Sequence, residues 1–267
     1  MDRRALVLLR KDVKKGSLTT VGTTDPTEIA RFDALAEEWW NPDGAFKVVH
    51  AFNRVRVGHI VERLPVLLQR DPSAARPLAG VNVIDVGCGA GLVTEPIARL
   101  GADVLGIDAA ERNVVVAERH ARLSGASLRY RHALPEDCTD LAGTFHVVLC
   151  LEVVEHVGNL PRFLEALARL VAPRGVMLVG TLNRTLRSYV TAIIVAEYVL
   201  GWLPRGTHDW HKFVRPAELE FTLKRYGFAI AESCGVAFNP LTMRWVINMD
   251  LSTNYLQFYR ARDDIQM

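Results

Sequence analysis

Cysteine is scarce and shows no pairing pattern: Cys88, Cys138, Cys150 and Cys234 make no C-x-x-C pair and no spacing that suggests a zinc site. A reducing, cytoplasmic setting is therefore expected. Charge of one sign is also missing. With 32 basic against 30 acidic residues the formal charge is only +2, too little for the concentrated basic field of a protein that lives on phosphate backbones, so nucleic acid is not an expected partner. No run reaches the roughly 20 apolar residues that span a bilayer. The first residues are basic but also carry Asp2 and Asp12, and no apolar core with a small-residue cleavage site follows, so no secretory signal is read there. Internal repeats and low-complexity tracts are absent as well. What remains is a chain that is 49% apolar, enough for one substantial core with appendages.

The chain divides by texture. Residues 1–24 mix charges with Gly, Ser and Thr and are expected to form a flexible arm, and residues 25–80 an N-terminal helical segment. After Asp25-Pro26, apolar residues at Ile29, Phe32, Leu35, Ala36 and Trp39 have helical spacing, which predicts a helix over 26–40. A second helix is predicted over 50–68, after the Pro42-Asp43-Gly44 turn. From Val81 onward short β-branched runs alternate with helical stretches, the pattern of βαβ units around a parallel sheet. Strands are predicted at 81–86, 103–107, 127–131, 145–151 and 176–181, and two more at 228–236 and 255–261. The expectation is an α/β, doubly wound, mostly parallel seven-stranded Rossmann-like domain over 81–267. N-terminal helices precede it, and an insertion over 185–215 contributes a helical lid.

Asp85-Val86-Gly87-Cys88-Gly89-Ala90-Gly91 stands between a buried strand and a helix expected to begin near Leu92. Glycines at alternate positions let the backbone turn tightly and approach a ligand that side chains would exclude. A dinucleotide fingerprint needs a third glycine where Leu92 stands, which makes pyrophosphate the poorer reading. The next strand ends in Asp108, seventeen residues beyond Gly91, where a carboxylate can accept both ribose hydroxyls of a nucleoside. Gly loop and acid together, with Asp85 leading the loop, resemble the first two motifs of the class I methyltransferases. The resemblance implies S-adenosylmethionine (SAM) as cofactor. Leu134-Pro135-Glu136-Asp137 would then lie near the adenine, and Leu151 at the end of the fourth strand would pack against the cofactor. No Asn or Asp followed by Pro-Pro stands at that strand end, as it does in amino-methyltransferases acting on bases or amides, so an oxygen or other acceptor is favoured.

Motifs beyond the generic loop narrow the resemblance. Trp39-Trp40, Gly44, Phe46-Lys47, His50, Asn53 and Arg56 are similar to the N-terminal signature of the ubiquinone biosynthesis O-methyltransferases. So are Thr181-Leu182-Asn183-Arg184, Ala196-Glu197-Tyr198, Gly206-Thr207-His208-Asp209, Lys212-Phe213 and Pro216-Ala217-Glu218-Leu219, with Asn239-Pro240-Leu241 and Asn254-Tyr255 near the end. Carried over, the family's cofactor contacts fall on Arg56, Gly87, Asp108 and Leu151, where the family usually has Met. Residues Asp85, Gly89 and Gly91 complete the expected cofactor set. The activity implied is methylation of phenolic hydroxyls on polyprenylated ubiquinone precursors, a 2-polyprenyl-6-hydroxyphenol and 3-demethylubiquinol. Two other readings stay open: a methyltransferase for another small lipophilic phenol or quinol, and a catalytically silent SAM-binding scaffold subunit.

A phenol needs activation at neutral pH, since its pKa is about 10. In Glu152-Val153-Val154-Glu155-His156 a helical turn would put Glu152, Glu155 and His156 on one face as ligands for Mg²⁺, the role the resemblance implies for these positions. Glu152 and His208 are the candidate catalytic groups, His208 as a rival general base. Between Tyr189 and Leu203 nearly every residue is apolar, flanked by Arg187 and Arg205. That stretch is expected to form a mobile lid with peripheral contact to the inner face of the membrane, where polyprenylated substrates and the other ubiquinone biosynthesis enzymes would be met.

Overall fold

A computed structural model describes residues 23–44, 46–199 and 209–262, with side chains placed for all of these but 195–199. Three of the five expected parallel strands are almost wholly buried: β1 (Asn82–Val86), β2 (Asp103–Asp108) and β4 (Phe145–Leu151). Runs such as Val-Ile-Asp-Val and Val-Val-Leu-Cys-Leu do not alternate because helices cover both faces of the sheet. Strands β3 (Arg129–His132) and β5 (Val171–Leu182) complete the parallel part.

Helices α1 (Pro26–Ala34) and α2 (Lys47–Leu67) precede the sheet, and α3 (Thr94–Arg99), α4 (Glu111–Ser124) and α5 (Leu160–Leu170) connect its strands. On one face α5 buries Phe163, Leu164 and Leu167, beside Leu219 and Leu223 of α7 (Pro216–Arg225). On the other, α2 and α3 bury Ile60, Leu64 and Ile97. Each such side chain withdrawn from water contributes roughly 2 kcal/mol.

The sheet has eight strands, in the order β3-β2-β1-β4-β5-β8-β6-β7. The seven expected from sequence thus become eight. The additional one is β7 (Arg244–Asn248), which forms a hairpin with β6 (Phe228–Asn239) at the sheet edge, while β8 (Asn254–Ala261) runs antiparallel between β5 and β6. The turn is local chemistry: the Asn239 side chain accepts from the N–H groups of Leu241 and Thr242, and Met243 takes a left-handed φ of 53°.

At the N-terminus the helix over 26–40 is shorter than expected. After Ala34 a single 3₁₀ turn, Ala36–Glu38, replaces it, which frees Trp39 and Trp40 to face the core separately. The first part of the insertion is helical, α6 (Leu186–Ser188) running on as a π-helix over Tyr189–Val199. Leu186, Tyr189, Val190 and Ile194 are exposed on it. Residues 200–208, with His208, lie outside the described residues.

Chain order reverses between β1 and β4, since β2 and β3 extend the sheet one way and β5 the other. In open α/β sheets the crevice at the carboxyl ends of the strands flanking such a reversal receives the ligand.

Candidate functional site

A cavity of about 690 Å³ opens at that crevice. Its floor is the loop after β1. The N–H groups of Gly87 and Cys88 both donate to the Ile107 carbonyl, at 2.8 and 3.0 Å, tying the loop to the end of β2. Gly87 and Gly89 have φ of 74° and 53°, the left-handed region that glycine enters without strain. A Cβ on Gly87 would overlap Val153, and one on Gly89 would press on the Trp39 ring at 3.1 Å. Gly91, also at positive φ, meets Tyr130 instead of the cavity, so its role is to let the loop pass under β3.

The carboxylate of Asp108 is buried beside this loop. Its Oδ2 accepts from the Gly89 N–H at 2.8 Å, and its Oδ1 accepts from the Ala110 N–H at 2.8 Å and from Asn113 Nδ2 at 3.2 Å. Burial nevertheless raises its pKa, with those hydrogen bonds pulling the other way. Since a carboxylate offers about four acceptor sites, Asp108 both braces the glycine loop and keeps capacity for a hydroxyl. Asp85, also on the cavity wall, accepts from the Thr94 hydroxyl at 2.6 Å. Burial pushes its carboxyl up to about 6, opposed by Thr94 and by the charge of Arg56.

The Arg56 side chain reaches the same wall from α2. A surface charge is what sequence alone would have allowed, yet this side chain is buried, with its Nη1 donating to Glu152 Oε1 at 2.8 Å and its Nη2 to Asn53 Oδ1. The guanidinium also stands 4.6 Å over the Phe52 ring. Desolvation lowers its pKa against the attraction of Glu152, Asp85 and Glu155. Its Nε has no acceptor among the described atoms, an orphaned donor where an anionic ligand group would be satisfied.

Leu151 ends β4 with its side chain on the cavity wall against Gly180. Glu152 follows with φ of 56°, costly for a non-glycine residue, and is held there by its N–H donating to the Gly180 carbonyl and by Arg56. Glu155 is buried beneath, accepting from the Thr181 hydroxyl at 2.8 Å. Desolvation first, and the neighbouring Glu152 charge second, raise its pKa well above the carboxylate range. His156 does not join them. Its Nδ1 stands 3.1 Å from Glu28 Oε2 and its ring packs edge-on against Phe32, both on α1. Among the described residues no three His, Cys, Asp or Glu side chains converge as a metal cluster.

Residues that sequence reasoning did not place at the site close the roof. Trp39 stacks on Phe46 at 4.1 Å and donates through Nε1 to Asn113 Oδ1, the same residue that supports Asp108. Trp40 lies flat on His120 and donates to the Ala90 carbonyl. Glu28 is another such residue. Neighbouring tryptophans straight after a helical stretch, and an Asn five residues past the strand-end Asp, are the signals that could have found the first two.

Glycines at positive φ, a buried strand-end carboxylate and a buried arginine with a free Nε, gathered at a sheet reversal, mark a ligand-binding doubly wound α/β domain, and comparison with known proteins says which. Residues 54–233 match a family described as a methyltransferase domain, to which the chain belongs. The fold alone is shared with the SAM-bound magnesium protoporphyrin IX methyltransferase of Synechocystis PCC 6803, at a TM-score of 0.60 and 20% identity over 88% of this chain and 96% of that one. Closer in sequence is the ubiquinone biosynthesis O-methyltransferase of Azorhizobium caulinodans, 47% identical over 89% of this chain and 94% of its own length. The Mesorhizobium japonicum protein of the same name is 48% identical over 88% and 94%. The chain is a member of the ubiquinone biosynthesis O-methyltransferase family.

Proposed function

We infer that the protein transfers a methyl group from S-adenosylmethionine to a phenolic oxygen of a polyprenylated ubiquinone precursor. One observation carries this beyond family membership: the glycine loop, Asp108 and the orphaned Nε of Arg56 share one cavity wall with Leu151 and Glu152. The cofactor supplies a sulfonium methyl whose departure leaves a neutral thioether. The glycine cradle admits the nucleoside, Asp108 accepts its ribose hydroxyls, and Arg56 Nε donates to its carboxylate. Leu151 would pack against the bound cofactor, and holding two reactants in line can supply roughly 7 to 11 kcal/mol of the barrier. Acceptor oxygen activation falls to Glu152, which the strained backbone and Arg56 hold at the strand end, or to His208 beyond the described residues.

A divalent cation is a second reading, supported by one feature. Glu152 and Glu155 are neighbouring carboxylates, and burial first, with the Glu152 charge second, raises the pKa of Glu155. Mg²⁺ held by this pair would lower the phenol pKa by Lewis acidity. Full activity after chelation would exclude it. The N-terminal helices and the 185–215 insertion serve in this reading as a roof and a lid on the 81–267 domain. The exposed apolar residues on the described part of the insertion support peripheral membrane contact, checked by sedimentation with anionic liposomes; among the described residues no helix is long and apolar enough to cross a membrane.

Radiolabelled methyl transfer to a short-chain demethylubiquinol tests the central inference. Labelled product confirms it. Tight SAM binding with no transfer to any phenol would leave the silent scaffold.

A further inference from the structure

The acceptor proposed above has a polar head and an isoprenoid tail far longer than a 690 Å³ cavity can enclose along with the cofactor. Some part of the rim must let the tail out. Two parts of it are ion-paired. The roof carries acidic charge through Asp25 and Glu28, which face Lys212, and the α6 side carries Arg187, paired with Asp250 and bonded to Ser252. An apolar chain leaving there would strip charges of water without replacing their bonds.

One sector differs. Phe238 and Trp245 are directly opposed across the β6–β7 hairpin and so share a sheet face, with ring centroids 5.5 Å apart. Phe52 of α2 meets Trp245 edge to face at 5.0 Å. All three lie on the cavity wall. At the inner end of this cluster the Arg56 guanidinium covers Phe52, which puts the polar reaction centre directly behind the aromatic wall. At the outer end Pro240 still lines the cavity, while the next residue, Leu241, is 94% exposed and Met243 70% exposed. Apolar residues thus lead from Phe52, beside the reaction centre, to Pro240 and the exposed Leu241 and Met243 of the hairpin turn.

We propose that the tail of the acceptor leaves between α2 and the β6–β7 hairpin, gripped by Phe52, Phe238 and Trp245 and carried outward over Leu241 and Met243. This rests on the functional reading above and specifies it: these residues set preference for tail length, and the cofactor end does not. Aromatic faces suit isoprene units because they offer broad, rigid contact at little cost in side-chain entropy.

The test is the ratio of kcat/KM for a catechol acceptor with several isoprene units to that for one with a single unit. Wild type should favour the longer tail. In Trp245→Ala and in Phe238→Ala the ratio should fall about tenfold, equivalent to ~1.4 kcal/mol, while Trp245→Phe keeps most of it. SAM affinity by calorimetry, unchanged in each variant, shows that the fold and the cofactor end are intact. A ratio that Trp245→Ala leaves at the wild-type value overturns the proposal, as does one that falls in Ile194→Ser and not in Trp245→Ala, which would put the exit under the insertion helix. If wild type methylates no phenol of either length, the functional reading fails first and this one with it.

Discussion

Replacing Asp85 with Asn should stabilise the cofactor-free protein, and by an amount that depends on pH. Asp85 is buried, and its pKa stands at about 6 where 3.8 is ordinary. A carboxyl whose folded-state pKa is raised binds its proton more tightly in the native state, so stability is greatest at low pH and declines as pH rises from about 4 through 6. The gap of about two pH units, at ~1.36 kcal/mol each, amounts to about 3 kcal/mol at neutral pH and above. Asn mimics the protonated acid, and its Oδ1 can still accept the Thr94 hydroxyl. The attraction of Arg56 is already contained in the net shift and needs no separate correction. Thermal unfolding of both proteins from pH 4 to pH 8 is the measurement. The Asn variant should gain roughly 6 to 12 °C at pH 8, at about 2 to 4 °C per kcal/mol for a domain of this size, and little at pH 4. Parallel curves for the two proteins across that range would refute the reasoning.

Asp108→Ala should weaken SAM binding by about 1 to 3 kcal/mol or more, because it removes the ribose acceptor and leaves the Gly89 and Ala110 N–H groups unpaired; calorimetry on the folded variant checks it, and unchanged affinity would remove the role. Gly87→Ala should nearly abolish cofactor binding through overlap with Val153, and adding Val153→Ala should restore part of it, the remainder measuring the strain of a side chain at positive φ. Arg56→Met should cost about 3 to 5 kcal/mol in stability, since Glu152 would lose its ion-pair partner and Asn53 a hydrogen bond; urea unfolding checks it, and an unchanged midpoint would remove the structural role of the pair.

The parallel half of the fold was legible in the sequence because its strands are continuous β-branched runs and its cofactor loop is local, with Asp85, Gly87, Gly89 and Asp108 within one βαβ unit. Sites assembled from distant segments were not. Arg56 came only through family resemblance, since nothing within α2 announces that its side chain will meet a strand end nearly a hundred residues later. The one-face spacing of Glu152, Glu155 and His156 assumed a helix, but Glu152 sits at positive φ and breaks the period, so His156 swings to α1. Trp39 was legible only as a helix position and part of a family signature, and Asn113 was not singled out, because their importance lies in the bond between them. The eighth strand was hidden by its length and by a turn built on an Asn side chain in place of glycine.

The position of the β6–β7 hairpin has a consequence for how such an enzyme can change. Cofactor residues hang from the central strands, where each substitution disturbs two packed neighbours, whereas Phe238 and Trp245 ride on the outermost hairpin of the sheet with only one paired flank. Three strands, β4, β5 and β8, separate this hairpin from the strand that carries the glycine loop. A lineage, or an engineer, can therefore retune what the enzyme accepts by rewriting a few edge residues, and inherit the chemistry unaltered.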